Sequence, residues 1–313
     1  MKKFMSRRMK IFLSVLTLLS ILCYISAGIM LYNSNFNFSS YSDDWNGRWN
    51  FDWSNHNSTS SIGTVEKELP QTVQNIYLSS SSSDYSVEFY SGTTLKIDVN
   101  GDFFSNFTYS DGLSRVEVTD SNVFIETNDN LIFSDLEVKV YVPDTYQNLL
   151  SIKGSSGELS VTGGKLKTLL VSSSSGDIDL YTVEATDTSL ESLSGRINGS
   201  TIRTDKSLIK TASGDISISG ALGETTVSVV SGSVDLILSE IAENSNFSTK
   251  SGDVDLIIPN EIGYKVNFSS ISGEISGKNL NMDINNSSSY SFTNGDSSKL
   301  INVKTISGDL NLI

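Results

Sequence analysis

A Ser-Gly-acid segment followed by an alternating strand recurs along the chain and constrains its fold more than any other feature. Copies are SSGDIDL at 174–180, ASGDISI at 212–218, KSGDVDL at 250–256 and ISGDLNL at 306–312. From 157 to 273 the motif glycines follow one another at intervals of 18 to 21 residues, and the last interval is 35 residues. A near-constant period of this length is typical of a solenoid, in which each repeat buries its apolar residues against its neighbours.

Within each copy the polarity alternates with a period of two. Ile178 and Leu180 face one way, and Asp177 and Asp179 face the other. A second alternating stretch precedes each Ser-Gly, so each repeat is predicted to be strand, corner, strand, with glycine supplying the backbone freedom of the corner. The predicted fold is therefore all-β: a parallel β-helix or β-solenoid with rungs of about 20 residues, stacked ~4.8 Å apart. The acid after each glycine is expected to be a solvated outward residue.

The N-terminus predicts membrane attachment. The first ten residues hold five basic residues and no acid, and 11–32 is a run of 22 uncharged residues, long enough to span a bilayer once. The basic flank places 1–10 in the cytoplasm and the rest outside the cell membrane, with the lipid bilayer as a partner of 11–32. A cleaved signal peptide is the competing interpretation. Cys23, the only cysteine, lies in this segment, so no disulfide framework is expected.

Four segments follow from this organisation. They are a basic cytoplasmic tail at 1–10, a transmembrane helix at 11–32, an Asn/Ser/Trp-rich spacer at 33–63 and the β-solenoid domain at 64–313. The spacer carries Trp45, Trp49 and Trp53, four residues apart, and the only histidine, His56. The tryptophans form either an amphipathic stripe on the outer membrane face or part of a low-complexity linker. Strands between 64 and 150 are less regular and are expected to begin the solenoid and cap its first edge.

The charge balance argues against nucleic acid as a partner. The chain has a formal net charge of −14, and without the first ten residues 17 basic residues face 36 acidic ones. A surface that is this acidic repels the phosphate backbone.

Three stretches carry a resemblance to a known family. LEVKVYVPDTYQNLLSIKGSSGELSV at 136–161, the run of Ser-Gly-Asp-Ile rungs, and TNGDSSKLINVKTISGDLNLI at 293–313 resemble the DUF4097 family of bacterial surface proteins, whose common label is adhesin. The resemblance covers 64–313. It implies a right-handed β-helix-like fold, often attached to a membrane span in Gram-positive bacteria, and for some relatives an association with cell-envelope stress systems. The family has no established catalytic residues.

Two classes of function remain. The first is a non-catalytic binding or scaffold role at the bacterial cell envelope, with a cell-wall or envelope component as partner. The second is a β-helix enzyme that acts on cell-surface polysaccharide with two carboxylates. A Ser-His-Asp triad or a zinc site needs histidines or cysteines that the repeats lack. We therefore expect no enzyme activity, no cofactor and no catalytic, cofactor-binding or metal residues.

Register between rungs yields two predictions about charge. Position 196 should lie between positions 177 and 215, where Arg196 relieves the repulsion between Asp177 and Asp215 by ~0.2–1 kcal/mol per pair. Asp235 and Asp255 should be neighbours with Asp253 two residues away, and these three acids either hold a weak Ca²⁺ or are simply hydrated.

The long last interval predicts how the stack ends. We expect 274–307 to fold back as a hairpin-like cap over the final rung, with Tyr290 and Phe292 shielding Leu310 and Leu312 and a turn at Asn294-Gly295. The rival prediction is an open terminal strand that recruits another molecule edge to edge.

Overall fold

A computed structural model describes residues 64–102, 114–119, 121–127, 134–241, 244–277, 282–286, 289–295 and 299–313. The predicted cytoplasmic tail, membrane helix and spacer at 1–63 lie outside the described residues, as do their tryptophans, His56 and Cys23. Within the described ranges no helix has the length and apolar character that a membrane crossing needs.

The described residues form strands throughout. In chain order the 23 strands are β1 (Thr64–Glu68), β2 (Asn75–Ser79), β3 (Asp84–Tyr90), β4 (Thr94–Asp102), β5 (Ser114–Val118), β6 (Asn122–Thr127), β7 (Ser134–Pro143), β8 (Leu149–Gly154), β9 (Leu159–Thr162), β10 (Lys165–Ser173), β11 (Ile178–Tyr181), β12 (Glu184–Ser192), β13 (Ile197–Ser213), β14 (Ile216–Ser231), β15 (Val234–Ile241), β16 (Asn244–Ser251), β17 (Val254–Ile257), β18 (Tyr264–Ser269), β19 (Ile275–Gly277), β20 (Met282–Asn286), β21 (Ser289–Asn294), β22 (Leu300–Lys304) and β23 (Leu310–Leu312).

Two parallel ladders run through the stack. The ladder of the strands that precede each corner runs β6, β2, β8, β10, β12, β13, β14, β16, β22, β18. The ladder of the strands that follow each corner runs β7, β3, β9, β11, β13, β14, β15, β17, β23, β19. Strands β13 and β14 are long enough to continue from one ladder into the other. The predicted all-β, solenoid-like architecture of stacked parallel rungs is thus confirmed.

The core consists of side chains that repeat in register. In the second ladder Ile178 pairs with Ile197, and that column continues through Ile216 and Val234 to Val254. All five side chains are buried, while Asp215 and Asp253, each directly before one of them in sequence, are exposed. The period-two pattern therefore places apolar columns inside each ladder, and each rung buries its apolar residues against the rungs on either side.

At both ends of the stack, spatial order departs from chain order. The first rung, β2 and β3, lies between the rung of β6 and β7 and the rung of β8 and β9. The last rung, β22 and β23, lies between the rung of β16 and β17 and the rung of β18 and β19. Each terminal rung of the domain therefore has parallel partners on two sides, which satisfies backbone groups that an open end would leave unpaired.

The C-terminal strand corrects the predicted ending of the stack. Leu310 pairs with Val254 on one side and Ile275 on the other, so the terminal strand is neither open nor covered by a hairpin. The turn between Tyr290–Thr293 and Leu300–Val303 is also not a hairpin, because β18 separates β21 from β22. The local pattern was compatible with a hairpin; the pairing of distant strands decided against it.

Antiparallel strands cover the two ends instead. At the first end β4 pairs antiparallel with β7 and β1 with β4, while β5 pairs antiparallel with β6, as expected for irregular capping strands. At the other end β21 pairs antiparallel with β18 and β20 with β21. Phe292 contacts Tyr264, and Tyr290 stacks on Phe268, with ring centroids 6.1 and 6.2 Å apart. These aromatic rings thus pack on β18, and not on the terminal strand as predicted.

The corner glycines are required by close packing between rungs. A Cβ on Gly176 would lie 1.9 Å from the carbonyl oxygen of Gly157, and one on Gly195 would lie 2.0 Å from that of Gly176. A serine three residues earlier closes these two corners: Ser173 Oγ and Ser192 Oγ accept the amides of Gly176 and Gly195 at 2.8 Å. The predicted role of glycine is therefore confirmed only in part. At Gly176 and Gly195 backbone contact excludes a side chain, whereas Gly232 and Gly252 also adopt a positive φ of 144° and 145°, which is the predicted conformational freedom.

Candidate binding surface

The outward side of the second ladder carries an unusual surface near the C-terminal end. We call it the Asp/Ile face and define it by the outward residues of three neighbouring rungs: Asp235, Ile237, Asp255, Ile257, Asn311 and Ile313. Asp235 pairs with Asp255 and Ile237 with Ile257, Asp255 pairs with Asn311, and the Ile313 amide donates to the Leu256 carbonyl. A polar column and an isoleucine column therefore run side by side along the stack.

The isoleucines occupy outward positions of their strands, and their apolar side chains are therefore exposed to solvent. Ile237, Ile257 and Ile313 are 51, 38 and 64 % exposed. They line a groove of about 820 Å³ whose other wall includes Pro259, Tyr264 and Phe292, and the lining contains one charged side chain, Glu261. The lining also includes polar side chains such as Ser219, Ser239 and Asn294, and exposed apolar side chains that lie together with a polar rim mark a candidate interaction site.

Two carboxylates of the polar column repel each other. Partial burial raises the pKa of Asp235, and the neighbouring negative charge of Asp255 raises it further. Asp255 has a compensating partner, because Asn311 Nδ2 donates a hydrogen bond to its Oδ1. A cation that binds beside this column would reduce the repulsion between Asp235 and Asp255.

A second column of acids, directly after the corner glycines, joins the rungs together. Asp177 Oδ1 accepts the backbone amide of Arg196, Asp215 that of Ser233, Asp253 that of Asp309, and Asp309 that of Glu274, each at 2.8 Å. The expectation that these acids face outward into solvent holds, since Asp215, Asp253 and Asp309 are exposed, but it is incomplete, because each also accepts an amide from the next rung. The short aspartate side chain places a carboxylate oxygen within hydrogen-bond distance of a backbone amide of the next rung. Such charge-assisted hydrogen bonds are stronger than those between neutral groups.

The predicted neighbours in this column are partly confirmed. Arg196 lies between Asp177 and Asp215 in register, and its Nη2 is 2.7 Å from Asp177 Oδ2. Partial burial alone would raise the pKa of Asp177, but the hydrogen bonds from the Arg196 side chain and amide hold it below its ordinary value. Asp309 lies next to Asp253, where chain order had predicted Glu274, because the last rung is inserted between them.

The predicted calcium ligands do not converge. Asp235 and Asp255 are neighbours as expected, but Asp253 Oδ1 is occupied by the Asp309 amide. In the part of the chain that the structure describes, no group of three histidine, cysteine, aspartate or glutamate side chains is suited to a metal.

A polysaccharide-degrading enzyme would need two neighbouring carboxylates, and Glu158 and Asp179 form such a pair on the outer face. Glu158 lies near Asp179, and partial burial followed by the charge of Asp179 raises the Glu158 pKa. Asn198 Nδ2 donates to Asp179 Oδ1 at 2.8 Å. These acids follow the rung-to-rung pattern of the other outward positions, which is a sufficient structural account of them.

Sequence reasoning missed the isoleucine column. The signal was present: VDLILS, VDLIIP and LNLI each place an isoleucine at the outward phase of an alternating strand. Each one alone is an ordinary exposed residue. Their meaning depends on the adjacency of the three strands, which includes the inserted last rung.

The model of the Toastrack DUF4097 family matches residues 75–313. The chain belongs to this family. The resemblance inferred from the Ser-Gly-Asp rungs is confirmed, and the match begins at the first residue of β2, so it includes both inserted rungs of the Toastrack domain.

Several solved structures are similar at low identity. A putative lipid binding protein from Parabacteroides distasonis is 14% identical with a TM-score of 0.49, over 82% of this chain and 99% of that one. Putative adhesins from Bacteroides fragilis and Parabacteroides merdae are each 11% identical over 82% of this chain and 100% and 98% of theirs, with TM-scores of 0.45 and 0.44. No curated protein matches the chain significantly.

Proposed function

We propose that this Toastrack protein is a membrane-anchored, extracytoplasmic binding protein of the bacterial cell envelope without catalytic activity. The observation that carries the proposal is the groove along Ile237, Ile257 and Ile313. Apolar side chains in outward positions on three successive rungs lower solubility and stabilise nothing in the core. Their burial by a partner accounts for them.

The rigidity of the stack supports binding as the role of this surface. Parallel partners on both sides of the last rung, together with the carboxylate bonds from Asp253 to Asp309 and from Asp309 to Glu274, hold the isoleucine column in place before a partner arrives. A preformed surface loses little conformational entropy on binding.

The anchoring part of the proposal rests on the sequence. The uncharged run at 11–32 follows five basic residues, which favours a single span with the N-terminus inside. The acceptor role of the column acids supports the non-catalytic part, because their oxygens already hold the fold together. The carbohydrate-active alternative predicts that the purified chain releases fragments from cell-surface glycan.

In-cell photocrosslinking tests the binding function directly. With p-benzoylphenylalanine at position 237, we expect ultraviolet light to yield a discrete adduct in intact cells. The matched control places the same residue at Thr226, an exposed position on β14 in the other ladder. Equal adducts from both positions, or none from position 237, would contradict a binding role for the groove.

Topology needs a separate measurement. Protease added to intact cells should remove the domain at 64–313 and spare a tag placed before residue 1. Mature protein in the medium with a new N-terminus near residue 28 would show cleavage in place of anchoring.

A further inference from the structure

The Asp/Ile face combines two chemistries in a fixed geometry. On β15 and β17 an aspartate and an isoleucine are two residues apart and point outward together, as in Asp235 and Ile237; on β23 Asn311 takes the place of the acid. Successive outward side chains on a strand are ~6.6 Å apart, and successive rungs are ~4.8 Å apart. The result is an apolar column with a parallel column of negative charge at its side.

Carboxylates dominate the charge of this region, although the cation of Arg196 neighbours Asp215 at its edge. The outward segments that surround the face, 215–219, 233–237, 253–257, 274–277 and 309–313, contain six carboxylates and no lysine or arginine. Four of the six, Asp215, Asp253, Glu274 and Asp309, lie in the column after the corner glycines, one further step along the strands. A partner that covers the isoleucines therefore meets a negative field on one flank, which disfavours anionic partners.

The spacing of the isoleucine column matches an α-helix. From Ile237 to Ile313 is two rung steps, or ~9.6 Å by ordinary strand spacing. Apolar residues at i, i+3 or i+4, and i+7 of a helix span ~10.5 Å at 1.5 Å per residue. An extended peptide fits less well, because its side chains on one face repeat every ~6.8 Å.

We propose that the Asp/Ile face binds a basic amphipathic helix of a partner protein, laid along the stack axis. Its apolar stripe covers Ile237, Ile257 and Ile313 in the groove, and lysine or arginine side chains on one flank lie over Asp235 and Asp255. The proposal rests on the binding function proposed above and specifies its partner class. It also gives the repulsion between the two aspartates a role, since a bound cation relieves it.

Model peptides test the helix and its charge separately. The probe is a labelled peptide of about 14 residues, long enough to cover the column, with leucine on one helical face and lysine elsewhere. Its matched partner replaces every lysine by glutamate, and a third version carries a central proline. Binding to the full-length chain in nanodiscs of zwitterionic phosphatidylcholine is measured by fluorescence anisotropy, with empty nanodiscs subtracted.

We expect the lysine peptide to bind, with an affinity that falls as salt is raised. The glutamate and proline versions should bind at least about tenfold more weakly, because one lacks the charge and the other the helix. Asp235→Asn/Asp255→Asn should weaken binding about five- to thirtyfold, from two partly exposed charge pairs. Ile257→Ser should weaken it about tenfold.

The control variant changes net charge by the same amount elsewhere. Asp187→Asn/Asp205→Asn alters two exposed acids on β12 and β13 and should leave the affinity unchanged. Equal binding of the lysine and glutamate peptides, an equal loss in the control variant, or no binding at millimolar peptide overturns the proposal. Undiminished binding of the proline version overturns the helical geometry. If position 237 crosslinks in cells while the lysine peptide fails to bind, the binding function stands and this inference fails.

Discussion

Replacing one corner glycine tests the packing account of the repeat. In Gly195→Ala the new Cβ would lie 2.0 Å from the Gly176 carbonyl oxygen, and real Cβ contacts do not fall below 3.0 Å. The two corners must therefore separate by about 1 Å. The Gly176 carbonyl oxygen is a backbone atom and the new Cβ is attached directly to the backbone. Parallel strands hold both segments, so no flexible side chain can move to make room.

The cost follows from the hydrogen bonds that this separation breaks. Leu193 donates to the Ser173 carbonyl at 3.2 Å, Ser194 to Ser174 at 3.0 Å and the Arg196 amide to Asp177 Oδ1 at 2.8 Å. Lengthening each by about 1 Å takes it beyond hydrogen-bond range. At ~1 kcal/mol per bond, Gly195→Ala should lower the free energy of unfolding by about 2–4 kcal/mol.

Gly199→Ala, the same substitution on the adjoining strand, is the matched control. There the nearest atoms are side-chain carbons, Ile202 Cγ1 at 3.0 Å and Ile218 Cγ2 at 3.2 Å, and these can yield by a few tenths of an ångström. The added contact and the reduced unfolded-state entropy should nearly offset, leaving a change within ~1 kcal/mol.

Urea denaturation followed by far-ultraviolet circular dichroism measures both variants. With an m-value of ~3 kcal/mol/M, the midpoint of Gly195→Ala should fall by about 1 M, while that of Gly199→Ala should barely move. The slopes must be compared as well, because repeat proteins can unfold in parts. Equal midpoints for the two variants would refute the argument that carbonyl contact makes glycine obligatory at the corner.

The remaining predictions concern charge and the inserted rung. Asp235→Asn should raise the melting temperature at pH 7, with a gain in the free energy of unfolding of no more than ~0.5 kcal/mol after solvent screening. Because the pKa of Asp235 is raised in the folded state, this gain should vanish when the pH falls below the pKa of a free aspartate, and a gain that persists there would contradict the repulsion by Asp255. Arg196→Glu should lower the melting temperature more at low than at high salt, since it replaces the ion pair with Asp177 by a like-charge contact; equal losses would exclude the ladder. Deleting residues 309–313 removes the strand between β17 and β19 and should cause unfolding or aggregation on size-exclusion chromatography, whereas a folded monomer after deletion would show that insertion of the last rung is dispensable.

The sequence by itself determined the unit of the fold. Period-two alternation in segments such as 178–180 and 254–256 assigned the inward column, and the 18- to 21-residue spacing of the corners implied stacking in register. Both signals are local, since a strand has two faces and a corner needs a residue without a side chain. For the same reason the neighbours Arg196 and Asp177, or Asp235 and Asp255, could be predicted by counting along the repeat.

Tertiary structure alone decided the order of the rungs at the two ends. Nothing in the pattern of β2 or β23 distinguishes a terminal rung from an inserted one, because each presents the same alternation and the same backbone donors on either edge. The choice depends on which arrangement pairs the most backbone and covers the most apolar surface. That insertion places Ile313 beside Ile257 and Asn311 beside Asp255, and so it completes a surface on which neighbouring residues such as Asp255 and Asn311 are 56 residues apart in the sequence.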